Sequence, residues 1–202
     1  MVRTARVVAF VALAVVAGGC GVGAAGGARA IPSDQVPFHL LTKEPPSTTT
    51  STPPPGVPVT VFFEAGASQA LTPAQRTVGV SNTVRTVVHA LLAGPTSVER
   101  LAGVRTAIST DVQLLRAKPE RPTGTGTTAV ITLDFNQAFG AISGTQQVMA
   151  VAQIVYTVTA YMGTGYGVLF QIGGVATDVP TASGAQVTGP VKRTTYASLA
   201  PS

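Results

Sequence analysis

Tryptophan is absent from this chain of 202 residues, cysteine occurs once and histidine twice. A lone cysteine cannot close a disulfide within the chain, so whatever folds here is held by packing alone. Cys20, His39 and His89 together fall short of a four-ligand zinc set, and no metal or cofactor is expected. Aromatic residues make up 5% of the chain, few for a surface that stacks sugars or bases. Charged residues make up 10%, and the only adjacent basic pair is Lys192-Arg193, so the footprint of a nucleic-acid binder is missing. The pI of 9.9 reflects 8 acidic residues against 13 basic ones, a shortage of acids more than a wealth of bases.

What is present begins at the N-terminus. Arg3 and Arg6 precede an apolar run from Val7 to Ala17, and Gly18-Gly19-Cys20 follows. This is the order of a secretory leader: basic region, short apolar region, small-residue cleavage site. At 11 residues the run is well short of the ~20 needed to cross a bilayer. Ala17-Gly18-Gly19-Cys20 resembles a lipobox, departing from it at Ala17, where leucine is commonest. The expectation is a signal peptide over 1–19 and lipidation of Cys20 with palmitate-type acyl chains. Two or more chains anchor stably where one does not. Plain secretion and an uncleaved anchor are the competing readings. Loss of Arg3 and Arg6 with the leader lowers the net charge from +5 to +3.

Residues 20–56 read as a tether. Gly21 to Gly27 is glycine-rich, and Pro45 to Pro55 is a run of proline, serine and threonine. Such a segment has too little apolar surface to offset its ordering entropy. The Ser/Thr/Pro run also fits an O-glycosylated spacer or a bare one. A folded domain is expected over 57–202. Val59 to Phe63 predicts a strand, Leu71 to Gly79 a weaker one, and Ser81 the cap of a helix through Val84, Val87, Val88, Leu91 and Leu92. Gly94-Pro95 stops that helix. Two more strands are expected at Val112 to Ala117 and Thr128 to Phe135. A long helix then runs from Gly144 to Met162, with Val148, Val151, Val155 and Met162 on an apolar stripe. Val168 to Ile172 is the last strand. The order β-β-α-β-β-α-β predicts an α+β (mixed α/β sandwich) fold with two helices packed on a sheet.

The ordered region resembles the GerMN domain, a sporulation and spore-germination module also found on bacterial envelope lipoproteins. The resemblance rests on Val59 to Phe63, Arg76, Ala90 to Pro95, Thr106 to Ser109, Leu133 to Asn136 with Phe139, Ala152 to Thr159, and Val191 to Tyr196 with Leu199 and Pro201. Two segments depart: Ser-Ala-Ile-Pro is replaced by Thr106-Ala107-Ile108-Ser109, and Val-Asp-Leu-Ser by Leu133-Asp134-Phe135-Asn136. The resemblance implies a non-catalytic envelope module.

No catalytic constellation is legible. His89 stands four residues after Arg85 on the first helix, the setting of a surface histidine beside a cation. Glu64, Glu99, Asp111, Glu120, Asp134 and Asp178 are scattered without a shared motif. Gly163-Thr164-Gly165-Tyr166-Gly167 lacks the following helix that a phosphate cradle needs, and reads as a tight turn. Gln153 is expected to satisfy a buried backbone group and Tyr156 to lie in the core with its hydroxyl paired. Asp134 reads as a turn or cap residue, while Arg76 and Arg105 could line a surface for an acidic partner. The expected partners are the cytoplasmic membrane, through lipid on Cys20 at its extracytoplasmic face, and an envelope protein or cell-wall polymer. The alternative is a small-ligand or polymer-binding domain with possible hydrolytic activity.

Overall fold

The computed structural model describes residues 56–66, 69–120 and 128–201, all within one compact unit spanning 52–202. The expectations for the leader, Cys20, His39 and the tether up to residue 55 lie outside the described residues. Regular structure begins at β1 (Gly56–Ala65), which pairs antiparallel with β2 (Leu71–Gly79), Gly56 opposite Gly79 and Glu64 opposite Leu71. On its other edge β1 meets the two-residue β3 (Val104–Arg105), at Glu64 opposite Arg105. Two prolines interrupt the long ladder without cost. The amide of Phe62, opposite Pro73, points away from β2 and donates to Thr157 Oγ1 at 3.0 Å, so that pair exchanges no ladder bonds. Pro58 opposite Thr77 shares the same alternation, so neither proline removes a bond that the ladder needs.

The second sheet has the order β4 (Leu114–Glu120), β5 (Val130–Phe135), β6 (Gly167–Ile172), β7 (Val175–Ala176). β5 and β6 run parallel, because a long helix separates them in sequence; the other neighbours are antiparallel. Gly173 and Gly174, at φ 59° and 85°, make the two-residue hairpin turn into β7, a conformation that glycine adopts freely. A small pair, β8 (Val179–Pro180) and β9 (Gln186–Val187), and a 3-10 segment (Arg193–Leu199) complete the chain.

Four helices link the strands. α1 (Val84–Leu92) is capped by Thr83, not by Ser81. The reason is reciprocity: Thr83 Oγ1 accepts from the Thr86 amide while Thr86 Oγ1 accepts from the Thr83 amide. Counted from Ser81, the third helical position is Val84, which has nothing to offer in return. α2 (Ser97–Leu101) starts three residues beyond Gly94, on a second capping box between Thr96 and Glu99. α3 (Gln137–Gly140) is one turn, and α4 (Gly144–Met162) has the expected bounds.

The stripe expected on α4 is a correction. Every residue from Met149 to Thr159 is buried, whereas Val148 and Met162, placed on the stripe, are only half-buried. The helix packs against β1, α1, β6, β8 and the 3-10 segment, so it is surrounded rather than laid on one sheet. A helix enclosed on all sides has no face to leave polar. Beside it Phe135, Phe139 and Phe170 stack at centroid distances of 4.7–6.2 Å. The fold is α+β, and the expected order survives with α2, α3, β3 and β7 to β9 added to it.

Candidate functional site

α4 carries four buried polar groups among its apolar residues, and each is bound to a particular piece of the scaffold. Gln153, fully buried, accepts through Oε1 from the Ala107 amide at 3.1 Å and from Thr106 Oγ1 at 3.2 Å. Thr106 Oγ1 in turn accepts from the Ile108 amide, so one carboxamide fixes the course of residues 106–108. Gln153 Nε2 has no partner among the described residues. Thr157 takes the outward amide of β1, and Thr159 donates to the Val155 carbonyl at 2.6 Å. The Tyr156 hydroxyl donates to the Tyr196 carbonyl at 3.3 Å. Burial raises the Tyr156 hydroxyl above its ordinary range, opposed by the nearby Arg193 charge.

Arg193 closes the other side of α4. Its guanidinium donates to the Tyr156 carbonyl at 3.0 Å and Thr159 Oγ1 at 3.2 Å while lying 4.6 Å from the Tyr156 ring centroid. Lys192 donates to Thr128 Oγ1 at 3.1 Å, and the buried Tyr196 hydroxyl to the Pro180 carbonyl at 2.7 Å. Burial also raises the Tyr196 hydroxyl well above its ordinary range. The adjacent basic pair is therefore joinery. Sequence reasoning missed this, since its partners lie more than 30 residues away.

Arg76 and Arg105 separate sharply. Arg76 makes a bidentate pair with Glu99, at 2.8 and 2.6 Å, donates to the Gly94 carbonyl and lies 5.1 Å from the Phe63 ring centroid. It is not available to an acidic partner, which corrects the sequence expectation. The Arg76 hydrogen bonds outweigh desolvation and, with help from Thr96, lower the Glu99 carboxyl from 4.5 to about 2. Arg105 is exposed, and it lines a cleft of 470 Å³ with Glu64, Thr106, Gln69, Thr145 and Gln146. The back of this cleft is the 106–107 segment that Gln153 holds. His89 is exposed, its Nε2 3.5 Å from Arg85 Nη1.

Asp134 is also repositioned by the structure. It lies inside β5, 5% exposed, and its Oδ1 accepts from the Gly174 amide at 2.8 Å, which pins the hairpin turn. The capping position belongs to Asn136, ahead of α3; its side chain ties residues 111 and 113 instead of the helix. Glu120 pairs with Lys118 and Asp178 accepts from Thr188 Oγ1. Among the described residues no three His, Cys, Asp or Glu side chains gather. Gly163, at φ 111°, ends α4 in the turn expected there. On the outer face of the second sheet, Arg116, Asp134 and Gln171 stand in one cross-strand row and Lys118, Thr132 and Leu169 in the next. These six residues and Glu120 line a shallow cavity of 310 Å³.

The family model for sporulation and spore germination proteins, Germane, matches residues 60–178, more than half of the chain. The chain belongs to this family. The tandem GerMN domains of the sporulation protein GerM from Bacillus subtilis are 25% identical to it, with a TM-score of 0.51, over 69% of this chain and 45% of that one. The chain thus spans less than half of that tandem protein. The first GerMN domain of the same protein is 17% identical, with a TM-score of 0.48, over 68% of this chain and 98% of that one. No curated protein sequence matches. The GerMN-type segment ends just before β8, so the Arg193 clamp on α4 lies outside the matched range. Within it, Thr106-Ala107-Ile108 and Ala152-Gln153, two of the stretches carrying the resemblance, meet at the Gln153 carboxamide.

Proposed function

We propose that this protein is a lipid-anchored envelope protein whose GerMN-type domain is a non-catalytic interaction module. In this reading acylated Cys20 holds it on the extracytoplasmic face of the cytoplasmic membrane, and residues 20–56 let the domain reach a partner. The observation that carries the anchor is the sequence Gly18-Gly19-Cys20, with the chain's only cysteine, behind an 11-residue apolar run. Among the described residues no helix is long and apolar enough to cross a membrane. The non-catalytic reading is supported by where the polar groups are committed. The Gln153 carbonyl oxygen, Thr157, Thr159 and Tyr156 are engaged with backbone or neighbouring side chains, and Glu99 with Arg76. A nucleophile needs a base within hydrogen-bond reach, and exposed His89 has only Arg85 beside it.

Replacing Cys20 with alanine moves the protein from the membrane to the soluble or precursor fraction. Stable membrane retention of a processed Cys20→Ala protein would overturn the anchor. For the interaction role, the full chain is used as bait on detergent-solubilised envelopes and on isolated cell walls. Saturable capture of a defined protein or polymer supports the module, and turnover of a captured polymer by the purified chain rejects the non-catalytic reading.

A further inference from the structure

On the outer face of the second sheet, the side chains of Arg116, Thr132 and Gln171 bond to no other described residue. Register sets them out as a grid. Arg116 on β4, Asp134 on β5 and Gln171 on β6 form one row, and Lys118, Thr132 and Leu169 form the next. Neighbouring strands lie about 4.8 Å apart, which sets the spacing between the groups of a row. Arg116 and Asp134 face each other directly, yet no ion pair joins them, and Arg116 makes no hydrogen bond to another described residue. Gln171 likewise spends neither its donor nor its acceptor on a described residue. Asp134 is 95% buried in the same cavity, with Oδ1 held by the Gly174 amide. The cavity's 310 Å³ is at the low end of ligand-sized pockets, about 300–1,000 Å³.

We propose that this face binds a neutral glycan chain, recognising adjacent hydroxyl and amide groups of its sugar rings. The proposal names the polymer for the interaction module of the previous section and rests on that reading. Arg116 and Lys118 offer donors only, Asp134 accepts only, and Thr132 and Gln171 do both, the complement of groups that each donate and accept. A protein partner is the poorer fit: half-buried Leu169 is the one sizeable apolar side chain in the cavity, and protein interfaces centre on a buried apolar core. An acidic polymer is also the poorer fit, because Glu120 engages Lys118 at 3.1 Å and Asp134 puts negative charge on the floor. With no ring to stack on a sugar, each contact is weak, and a polymer of repeating units on many tethered molecules gains through avidity.

The test is sedimentation of the purified full chain, in detergent, with insoluble chitin and cellulose, beside a soluble polyglutamate competitor. The wild-type protein pellets with a neutral glycan, and raising salt from about 0.1 to about 0.5 M leaves the bound fraction unchanged, as uncharged ligands require. Retention on chitin alone assigns an amide contact, and retention on both supports assigns hydroxyls. Arg116→Ala with Gln171→Ala weakens binding about tenfold or more, the effect of losing a charge-assisted hydrogen bond and a neutral one. Arg105→Ala, in the separate cleft, keeps it. Failure to pellet with either glycan, release by salt or polyglutamate, or equal loss in Arg105→Ala would overturn the proposal. Cys20→Ala fractionation reports on the anchor separately, so a chain that is anchored but does not bind glycan rejects this inference alone.

Discussion

The buried helix α4 and the solvent-facing side of the second sheet both carry polar side chains, but they use polarity in opposite ways. On α4, Gln153, Thr157, Thr159 and Tyr156 each hold another part of the fold in place, Thr159 by accepting from Arg193. On the sheet face, Arg116 and Gln171 hold no other described residue, while Asp134 accepts from Gly174 and Lys118 pairs with Glu120. The stretch Ala152 to Thr159, among the most specific carriers of the GerMN resemblance, is therefore a stretch of scaffolding. Residues outside it are freer to meet a ligand. A polar residue inside a family motif can mark architecture rather than chemistry, because an unpaired buried amide costs about 1–3 kcal/mol.

Three substitutions can break or sharpen that contrast. Gln153→Ala orphans the Ala107 amide and is expected to cost roughly 1–3 kcal/mol in chemical denaturation. An unchanged midpoint would mean that the carboxamide is not what secures residues 106–108. Glu99→Gln probes a scaffold pair nearer the surface. Because the Glu99 carboxyl is lowered from 4.5 to about 2 in the folded state, its pairing with Arg76 stabilises above about 4.5 and is lost as pH falls through about 2. Thermal melts of wild type and Glu99→Gln should therefore differ at neutral pH and converge between those values; a gap that widens on acidification would reverse the assignment. Arg116→Ala should change stability by no more than about 0.5 kcal/mol, as exposed positions away from structural features do. A larger loss would make the sheet face scaffolding too.

Much of this architecture was legible from periodicity alone. The bounds of β2 and α4 and the placement of β1, β5 and β6 follow from apolar spacing and from glycine or proline at the ends. What escaped depended on partners distant in sequence. Arg76 reads as a free cation until Glu99 is brought beside it. The second capping box at Thr96 was hidden because Gly94-Pro95 ends one helix so firmly that another is not sought at once. The stripe on α4 was half of the truth: Val151 and Val155 are buried, but so are Ala150, Ile154 and Thr157, since the chain wraps around the helix. For the candidate site, Arg105 was named without its cleft, and Arg116 and Gln171 could not be named, because a row across three strands exists only once register is set.

The prolines of the first sheet have one more effect, on how these molecules behave as neighbours. β2 is the end strand of its sheet, and the alternation that lets Pro73 sit in the ladder also turns its nitrogen outward. An approaching strand would find no donor there. It would also find the outward carbonyl of Gln75 occupied by Arg76 Nη1 at 2.9 Å. Exposed strand edges recruit other strands, and proline and basic side chains are among the devices that stop them. Pro73 and Arg76 therefore guard the free edge of β2 against pairing with a strand from another molecule.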